Sequence, residues 1–581
     1  MSSIRLTWAK RWLRWTACSM AAFVSVLVVE SLARAQPVVP AVNQELLRFQ
    51  GRFTPPRLVP LGERVHMALG YEYANFSFVE GDDGIIVVDT GGFLGRVKPA
   101  LDAYRKITKK PIVAIVYTHV HPDHIGGAQL FVNEGEGPVR IYAHQGSVAR
   151  LKYDASTLGP MVFRRGFSQM GVMLPTGVSG TVGTGIGPVL RAEGGSGPLP
   201  PNVLVEDELE ITISGVRMIL MHAPGDIDAN LLVWLPDDKV MFSGDVLGGT
   251  LPYIATPRFE PDRDPRKFVS SLERILSLPV EHLAPGHGRP LVGREDVVEV
   301  VRSNRDVIQF IADQVGRHIL KGRSADEIID VLELPPHLAA HPDLQPHYHR
   351  LDWLIRGLYM KYAGWVSDPV SLSRHSDSEE AKRLVKLLGG ADETSAHAKS
   401  ALDSGDARWA AMLATYVLRA EPEHEVASAV QMQALESIAY TTNSANERNY
   451  LLTTVAETKG AIDWNRVLSR GALQRVSLQP SEVILRGFGV RLKAEDAFDA
   501  ELTVEARIEG EEGVHTLSVR RGVFLYDQVA REKVDARIVL SRSDLDRIAA
   551  GVTNLDAELA AGSIEVEAGQ PAAERFVRLF E

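Results

Sequence analysis

The chain has 581 residues, of which 45% are apolar and 24% are charged, and its formal net charge is −11 at pH 7. This length and composition predict a globular protein of several domains, since domains average roughly 100 to 200 residues. They exclude collagen, wholesale disorder and a membrane bundle. The acidic balance also argues against nucleic-acid partners, because phosphate backbones attract basic surfaces.

The N-terminus has the three parts of an export signal. A basic stretch through Arg14 is followed by an uncharged apolar run at residues 16–29 and by the small-residue site Ala33-Arg34-Ala35. The apolar run is shorter than the roughly 20 residues that cross a bilayer as a helix. We therefore predict that residues 1–35 are a signal peptide, and that the mature protein is periplasmic or secreted and has no stable membrane span. An uncleaved signal anchor is the alternative.

The only cysteine, Cys18, lies inside this predicted signal peptide. The mature protein would then contain no thiol. Disulfides, cysteine-zinc sites and thiol catalysis are excluded from it on that basis.

Residues 36–300 have the pattern of a layered α/β domain, in which strands and helices alternate. Strands are predicted at residues 76–79, 85–88, 112–117, 209–213, 217–221, 230–234 and 239–242, with a helix at 265–278. Residues 159–197 are rich in glycine and apolar side chains and are predicted to be a long irregular segment. This segment is either a functional lid or an inert surface insertion.

Beyond residue 300 the pattern becomes helical and then changes again. Residues 301–455 are predicted to be an all-α domain, in which 393–404, 408–421 and 424–440 have the rhythm of a tetratricopeptide-like pair or of an ordinary bundle. Residues 470–581 are predicted to be a separate α+β module. Its strands are placed at 502–508, 515–520, 522–526 and 536–541, and its helices at 542–550 and 556–562.

Three histidines and an acid occur within six residues directly after the apolar strand predicted at 112–117. They are His119, His121, Asp123 and His124. Imidazole and carboxylate groups bind Zn²⁺ at about 2.0 to 2.2 Å, and a strand-to-helix loop would aim all four at one point. The spacing therefore predicts a metal centre.

This loop resembles the signature of the metallo-β-lactamase superfamily, whose fold is an αββα sandwich. Three later residues stand where the superfamily places further ligands: Asp226 after Pro224-Gly225, Asp245 at a strand end, and His287 after Pro285-Gly286. The resemblance implies two Zn²⁺ ions per chain. One would be held by His119, His121 and Asp226 and the other by Asp123, His124 and His287, with Asp245 bridging them.

Asp226 also has another interpretation, as a carboxylate that only caps its turn. Many members of the superfamily carry histidine at this turn, and His222 and Asp228 are close in sequence. The alkylsulfatase branch of the superfamily has acidic ligands at both this position and that of Asp245, typically glutamates. Aspartate is one methylene group shorter than glutamate at both positions, which leaves the metal spacing and the metal identity open.

The resemblance to the alkylsulfatase branch extends over nearly the whole mature chain. Residues 346–349, 359–365, 405–411 and 447–452 are similar to its helical dimerisation domain, and the C-terminal module is similar to its sterol-carrier-protein-2-like domain. The resemblance therefore implies a homodimer. Residues 246–253 depart from the branch, which is rich in Asn and His there, so the substrate pocket is expected to differ.

Two further residues are predicted to hold the substrate, and one is predicted to support the metal ligands. Arg258 falls where the branch keeps a sulfate-holding arginine, whose planar fork suits an oxyanion, and Tyr253 is a second candidate for the same pocket. Asp89 resembles the superfamily's acid that orients a ligand loop. A surface arginine and a simple turn cap are the alternatives for Arg258 and Asp89.

The resemblance implies a zinc-dependent sulfuric ester hydrolase, an alkylsulfatase that cleaves amphiphilic alkyl sulfate esters to an alcohol and inorganic sulfate. The nucleophile would be a hydroxide held by the two metals and positioned by Asp245. A lactonase, β-lactamase or phosphodiesterase on the same scaffold is the second interpretation, because of the altered segment 245–258. A non-enzymatic lipid-binding or assembly protein with a vestigial metal site is the third.

Overall fold

The computed structural model describes residues 38–154, 159–469, 472–477 and 479–581, so the predicted signal peptide lies outside the described residues. The chain divides into two compact units. An α/β unit is formed by Pro55–Gln169, Arg191–Gln309 and Ile462–Glu581, and a helical unit by the described part of Met1–Thr54 with Met170–Leu190 and Phe310–Ala461.

The first sheet of the α/β unit has seven strands in sequential order. They are β1 (Arg57–Pro60), β2 (Val65–Leu69), β3 (Phe76–Glu80), β4 (Ile85–Val88), β5 (Ile112–Val116), β6 (Arg140–His144) and β7 (Val203–Val205). The first four are antiparallel and β4 to β7 are parallel. Strand β4 is buried at all four positions, as expected where both faces of a sheet are covered.

The second sheet has six strands, from β8 at one edge to β13 at the other. They are β8 (Glu208–Ile213), β9 (Val216–His222), β10 (Leu231–Leu235), β11 (Val240–Gly244), β12 (His282–Pro285) and β13 (Leu291–Val292). Main-chain hydrogen bonds join the two sheets: Leu231 N–H donates to the Thr118 carbonyl, and Asn75 N–H to the Gly286 carbonyl, each at 2.7 Å. The loops after β5, β9, β11 and β12 carry the predicted ligands.

Six helices of the α/β unit lie between its strands in the chain, and Leu94–Tyr104 and Pro265–Ser277 among them bury apolar side chains. Their bounds are Leu94–Tyr104, Pro122–Ile125, Ala128–Val132, Ser147–Asp154, Gly159–Met170 and Pro265–Ser277. The aromatic ring of Phe78 stacks on that of Tyr104 with centroids 4.1 Å apart, in the core beneath the first sheet. The long helix Arg294–Ile319 leads from this unit into the helical one.

The prediction that residues 159–197 are irregular is wrong for its first third. Gly159–Met170 is an α-helix in which Phe163 and Phe167, one helical turn apart, pack edge to face with centroids 6.3 Å apart. The glycine content of the whole segment obscured this apolar spacing. Glycines are concentrated after the helix, in Met170–Leu190, which belongs to the helical unit.

The helical unit consists mainly of α-helices, and those from Asp377 onward are joined by short loops. Its main α-helices are Gln44–Gln50, Ala325–Ile329, Pro336–Ala339, Leu351–Ala363, Asp377–Leu387, Ala391–Asp403, Ala407–Ala420, Glu425–Thr441 and Ala445–Thr458. Ala398, Leu413 and Val430 come from three successive helices and share one buried cluster. The segments predicted to resemble a tetratricopeptide pair therefore pack against one another.

The C-terminal module is a five-stranded sheet with helices and its own core. The strands are β14 (Glu501–Ile508), β15 (His515–Arg520), β16 (Val523–Asp527), β17 (Ala536–Leu540) and β18 (Ile564–Ala568), in the order β16-β15-β14-β17-β18. The main helices are Ser481–Arg486, Arg542–Ala549, Leu555–Ala561 and Gln570–Arg578. The last strand and the last helix were not predicted, whereas the α+β class was.

The predicted fold class is confirmed: an α/β unit with two sheets, an all-α region and a C-terminal α+β module. Within the described part of the chain, no helix combines the length and the apolar character that a bilayer crossing requires.

Candidate metal centre

Four of the predicted ligands stand on the loop that follows β5. The strand runs from Ile112 to Val116, and Pro122 opens the short helix Pro122–Ile125 at a position that suits proline, whose missing N–H needs no partner there. His121 is the extended residue before this helix, with φ −63° and ψ 148°. The change from strand to helix turns the side chains on both sides of Pro122 toward one point.

The first group of donors contains His119, His121, Asp226 and Asp245, all buried. The Nδ1 atom of His121 lies 3.1 Å from Nε2 of His119 and 2.9 Å from a carboxylate oxygen of Asp226. An oxygen of Asp245 is 3.8 Å from Nε2 of His119. These atoms surround a space that one cation would fill.

The second group contains Asp123, His124 and His287, also buried. The Oδ2 atom of Asp123 lies 3.3 Å from Nε2 of His124 and 3.3 Å from Nε2 of His287. Asp245 reaches this group too, with its oxygens 3.3 Å from Nε2 of His287 and 3.5 Å from Nε2 of His124. Asp245 is therefore the carboxylate that faces both groups, as a bridging ligand must.

The donor set fits two zinc ions. Ligand atoms at about 2.0 to 2.1 Å from a tetrahedral zinc ion lie about 3.3 Å from one another, and the distances within each group scatter around that value. Among the described residues, Asp226 Oδ1, Asp245 Oδ1 and His124 Nε2 are buried and make no hydrogen bond. Buried polar atoms without partners are costly, so a cation between them accounts for the arrangement.

Two of the four histidines are held from behind by a shared network. Nδ1 of His119 lies 3.1 Å from the hydroxyl of Thr118, which donates to Asp89 at 2.7 Å, and Nδ1 of His124 donates to the same carboxylate at 2.9 Å. Asp89 adopts the left-handed conformation at φ 58°, directly after β4. The predicted role of Asp89 in orienting the ligand loop agrees with these contacts.

The other two histidines have separate outer partners. Nδ1 of His287 lies 3.0 Å from the carbonyl oxygen of Tyr73 and therefore donates to it. Nε2 of His121 lies 3.5 Å from a carboxylate oxygen of Glu260. Each histidine therefore presents one nitrogen to the centre and has an oxygen near the other, which fixes the ring orientation. For His121, the Nη2 atom of Arg150 also lies near the outer nitrogen, at 3.3 Å.

Asp226, and not its sequence neighbours, faces the centre. His222 stacks on His144 with centroids 4.0 Å apart, and its Nε2 contacts the Asp228 carbonyl at 2.8 Å. The Asp228 carboxylate pairs with Lys267. Both neighbours are thus engaged away from the predicted ligands.

Burial and neighbouring charges shift the pKa values of the histidines and of Asp226 in opposite directions. Burial lowers the pKa of His119 to about 3. Burial also acts to lower the pKa of His121 and His287, but carboxylates beside each outweigh it and raise both to about 9. Burial opposes ionisation of Asp226, but the imidazoles of His121 and His119 hold its pKa well below its usual value. The Asp226 carboxylate is thus ionised, as a metal ligand must be.

Arg258 lies close to the centre but not against the ligands' donor atoms. Its Nη2 atom is 3.2 Å from Glu260, whose other oxygen accepts from Arg150 Nη2 at 2.7 Å. Burial acts to raise the pKa of Glu260, but Arg258 and the other cationic neighbours hold it well below its usual value. Sequence reasoning missed both Glu260 and Arg150, since neither belongs to a recognisable motif.

Tyr253 is buried beside the centre and contacts it through another residue. Its ring packs edge to face on Phe268 at 6.4 Å, and the Arg263 guanidinium lies 5.3 Å from the ring centroid. Arg263 also donates to a carboxylate oxygen of Asp226 at 3.3 Å. Arg263, which sequence reasoning left without a role, thus links Tyr253 to a predicted ligand, and the substrate-holding role of Tyr253 stays a prediction.

Comparison with sequence families agrees with this description. Residues 69–287 match the Metallo-beta-lactamase superfamily, which is the class that the fold and the site define. Residues 324–460 match the alkyl sulfatase dimerisation domain, and residues 474–581 match the alkyl sulfatase C-terminal domain.

Comparison with individual relatives indicates which branch of the superfamily the chain resembles. The chain is 33% identical over 503 residues to a linear primary-alkylsulfatase from Pseudomonas sp., covering 84% of this chain and 95% of the relative. It is 28% identical over 517 residues to an (R)-specific secondary-alkylsulfatase from Pseudomonas sp., covering 87% and 78%. The chain belongs to the alkylsulfatase family of the metallo-β-lactamase superfamily, and the predicted resemblance is confirmed.

A solved structure shows the same fold over most of the chain. The stereoselective inverting sec-alkylsulfatase Pisa1 from Pseudomonas sp. matches with a TM-score of 0.81 and 26% sequence identity, covering 93% of this chain and 87% of that one.

Proposed function

We propose that this protein is an alkylsulfatase that uses two zinc ions to hydrolyse amphiphilic alkyl sulfate esters. The observation that carries the proposal is the set of seven buried donors, three of whose atoms have no hydrogen-bond partner among the described residues, in a chain of the alkylsulfatase family. Four imidazoles and three carboxylates suit zinc, whereas magnesium and calcium prefer oxygen ligands.

The reaction converts R–O–SO₃⁻ and water to R–OH and hydrogen sulfate. Zinc ions bound here would supply Lewis-acid stabilisation and lower the pKa of water toward 7, so that the nucleophile comes from solvent. The Asp245 carboxylate faces both groups of donors and would accept a proton or orient the attacking water between them. Arg258, with its side chain 16% exposed, would hold the sulfate oxygens through its planar fork.

The environment of Arg258 suits an ester with an apolar tail. A β-carbon added to Gly166 would lie 4.0 Å from Cδ of Arg258, so the helix Gly159–Met170 passes beside this arginine. The helix is fixed there by Gln169, which accepts a hydrogen bond from Thr256 at 3.1 Å. Phe163 and Phe167 on the same helix are only partly buried and offer apolar surface near a cationic group.

Release of inorganic sulfate tests the proposal. The purified zinc-loaded protein would be given dodecyl sulfate, a secondary octyl sulfate, a cephalosporin, a lactone and a bis-phosphodiester, with Asp245→Asn as the matched control. We expect sulfate from an alkyl ester, at least one hundredfold less from the control, and no comparable turnover of the other compounds. Turnover of the lactone, the cephalosporin or the phosphodiester without sulfate release would support the corresponding hydrolase instead.

The predicted metal content has its own test. We expect two zinc ions per chain by elemental analysis after gentle purification. Near-zero metal together with no uptake of added zinc would favour the non-enzymatic interpretation.

Export and assembly are also part of the proposal. The signal-like residues 1–35 support a periplasmic or secreted protein, and the match of residues 324–460 to the dimerisation domain supports a homodimer. Cell fractionation with N-terminal sequencing would show the mature chain beginning at Gln36, and light scattering would give twice the monomer mass. A cytoplasmic full-length chain or a monomer would refute the respective part.

A further inference from the structure

Glu260 occupies the centre of a buried charged cluster at the outer side of His121. Its side chain is 3% exposed, and its Oε2 atom accepts from Nη2 of Arg150 at 2.7 Å. Its Oε1 atom lies 3.2 Å from Nη2 of Arg258 and 3.5 Å from Nε2 of His121. One carboxylate therefore contacts two guanidinium groups and the back of a predicted metal ligand.

The backbone beside Glu260 is held in an unfavourable conformation. Phe259 has φ 70°, in the left-handed region that is sterically unfavourable for an L-residue. The residue is 52% exposed, so burial of its side chain does not offset this unfavourable conformation. The turn is closed by Phe259 N–H, which donates to the Thr256 carbonyl at 3.0 Å. Strain of this kind persists where the surroundings impose it, often at functional sites. Here the strained residue stands between Arg258 and Glu260 in the sequence, and the side chains of these two residues contact each other.

Two neighbours compete for the outer nitrogen of His121. Nη2 of Arg150 lies 3.3 Å from Nε2, closer than the 3.5 Å to Glu260. A guanidinium can only donate. A hydrogen bond from Arg150 would require the lone pair of His121 on Nε2 and the hydrogen on Nδ1, the nitrogen that faces Asp226 and the donors of the first group.

Glu260 reverses this preference because its carboxylate can only accept. It takes the N–H of Arg150 at 2.7 Å and offers its other oxygen to Nε2–H of His121. The lone pair of His121 is then on Nδ1, where a cation needs it. A carboxylate behind a ligating histidine acts in this way at other metal sites.

We infer that Glu260 is a positioning residue that keeps Arg150 from donating to His121, and so holds the Nδ1 lone pair of His121 available to the first metal. The inference rests on the proposed metal-dependent function, of which it specifies one supporting residue. In this inference Arg150 is the competing donor. The ion pair between Glu260 and Arg258 links the metal centre to the arginine that is proposed to hold the substrate.

The experiment measures zinc affinity by chelator competition on the full-length protein, without reference to turnover. We expect Glu260→Ala to weaken zinc binding at the first group of donors, which contains His121, by roughly 10- to 100-fold. This range is typical for outer partners of metal ligands. Glu260→Gln keeps one acceptor oxygen and should lose less. Arg150→Ala added to Glu260→Ala should recover most of the affinity, because the competing donor has been removed.

Asp262→Asn is the matched control. Asp262 lies 3.4 Å from Nη1 of Arg150 and is 39% exposed, so its replacement removes a carboxylate from the same arginine. No contact joins Asp262 to His121 or Arg258 among those seen in the described residues. Zinc affinity should be unchanged in this variant. Metal-free Glu260→Ala should melt at a lower temperature than Asp262→Asn, because it removes a buried carboxylate from the guanidinium groups of Arg150 and Arg258.

Zinc affinity of Glu260→Ala equal to that of the wild type would overturn the inference, as would failure of the added Arg150→Ala to restore it. If Glu260→Ala does not fold, Glu260→Gln with and without Arg150→Ala gives the same comparison. Because the readout is metal binding, the result is separate from the sulfatase assay. A protein that releases no sulfate but loses zinc on Glu260→Ala would refute the proposed function and keep this inference.

Discussion

The replacement Asp89→Asn tests the support of the metal centre directly. The Asp89 side chain is buried, and it accepts Thr118 N–H at 2.7 Å, the Thr118 hydroxyl at 2.7 Å and His124 Nδ1–H at 2.9 Å. Asparagine has the same shape but only one acceptor atom. Whichever way its amide is turned, the NH₂ group faces an N–H donor.

The size of the effect follows from these contacts. A hydrogen bond to a charged group contributes about 1.5 to 3 kcal/mol, which corresponds to roughly 10- to 150-fold in a binding constant. We expect Asp89→Asn to weaken zinc binding by that factor, mainly at the group of Asp123, His124 and His287, because His124 loses its charged partner. Stability of the metal-free protein should also fall, by about 1 to 3 kcal/mol for the donor left unpaired.

Two measurements check this expectation: chelator competition for zinc and urea unfolding of the metal-free protein. Thr118→Ser is the control, because it keeps the hydroxyl between Asp89 and His119. A zinc affinity of Asp89→Asn within threefold of the wild type would show that the network behind the histidines does not orient them, and the reasoning would fail.

Three further predictions concern single residues. Arg258→Lys should raise KM for dodecyl sulfate about tenfold with unchanged zinc content, because an ammonium cannot donate two parallel hydrogen bonds; an unchanged KM would contradict the assignment. Burial raises the pKa of Glu72 from 4.5 to about 7, so its contribution to stability is present below pH 4.5 and is lost as the pH rises through 7. In the metal-free protein, Glu72→Gln should remove up to about 3 kcal/mol of that decline, measured by urea unfolding at several pH values. Arg448 is fully buried and donates to four main-chain carbonyls of the helical unit. Arg448→Met should therefore lower the free energy of unfolding by about 3 to 5 kcal/mol and lower Tm by roughly 6 to 15 °C in calorimetry. A shift under 2 °C would show that water satisfies the carbonyls.

The convergence of the predicted ligands could be predicted because they lie at strand ends. His119, His121, Asp123 and His124 form one short run after a buried strand, and that run alone indicates a metal. Asp245 and His287 follow strands of the second sheet, so parallel β11 and β12 bring them to the same edge. Alternation of apolar residues locates such strands. The convergence of the loops at their ends can then be inferred without further information.

The supporting residues were not predictable in this way. Glu260 lies on an irregular segment, and Arg150 lies on a helix 110 positions earlier, so no spacing rule joins them. The left-handed conformation of Phe259 is equally invisible, because glycine or asparagine is the usual sign of positive φ. The helix Gly159–Met170 was missed for a related reason, since a high glycine content over a wide window outweighed a short apolar repeat.

Aspartate side chains are shorter than glutamate side chains, and the backbone shows how Asp226 and Asp245 nevertheless reach the other predicted ligands. A β-carbon at Gly225 would lie 3.0 Å from the Asp245 carbonyl oxygen, and one at Gly286 would lie 2.2 Å from Asp245 Oδ1. Only glycine allows the loops of Asp226, Asp245 and His287 to approach this closely. A glutamate has one more methylene group, so its carboxylate could reach the same point from a backbone about 1.5 Å farther away. Replacement of Gly286 by alanine would push the Asp245 loop outward, and the shorter side chain could not then restore the contact with both groups of donors.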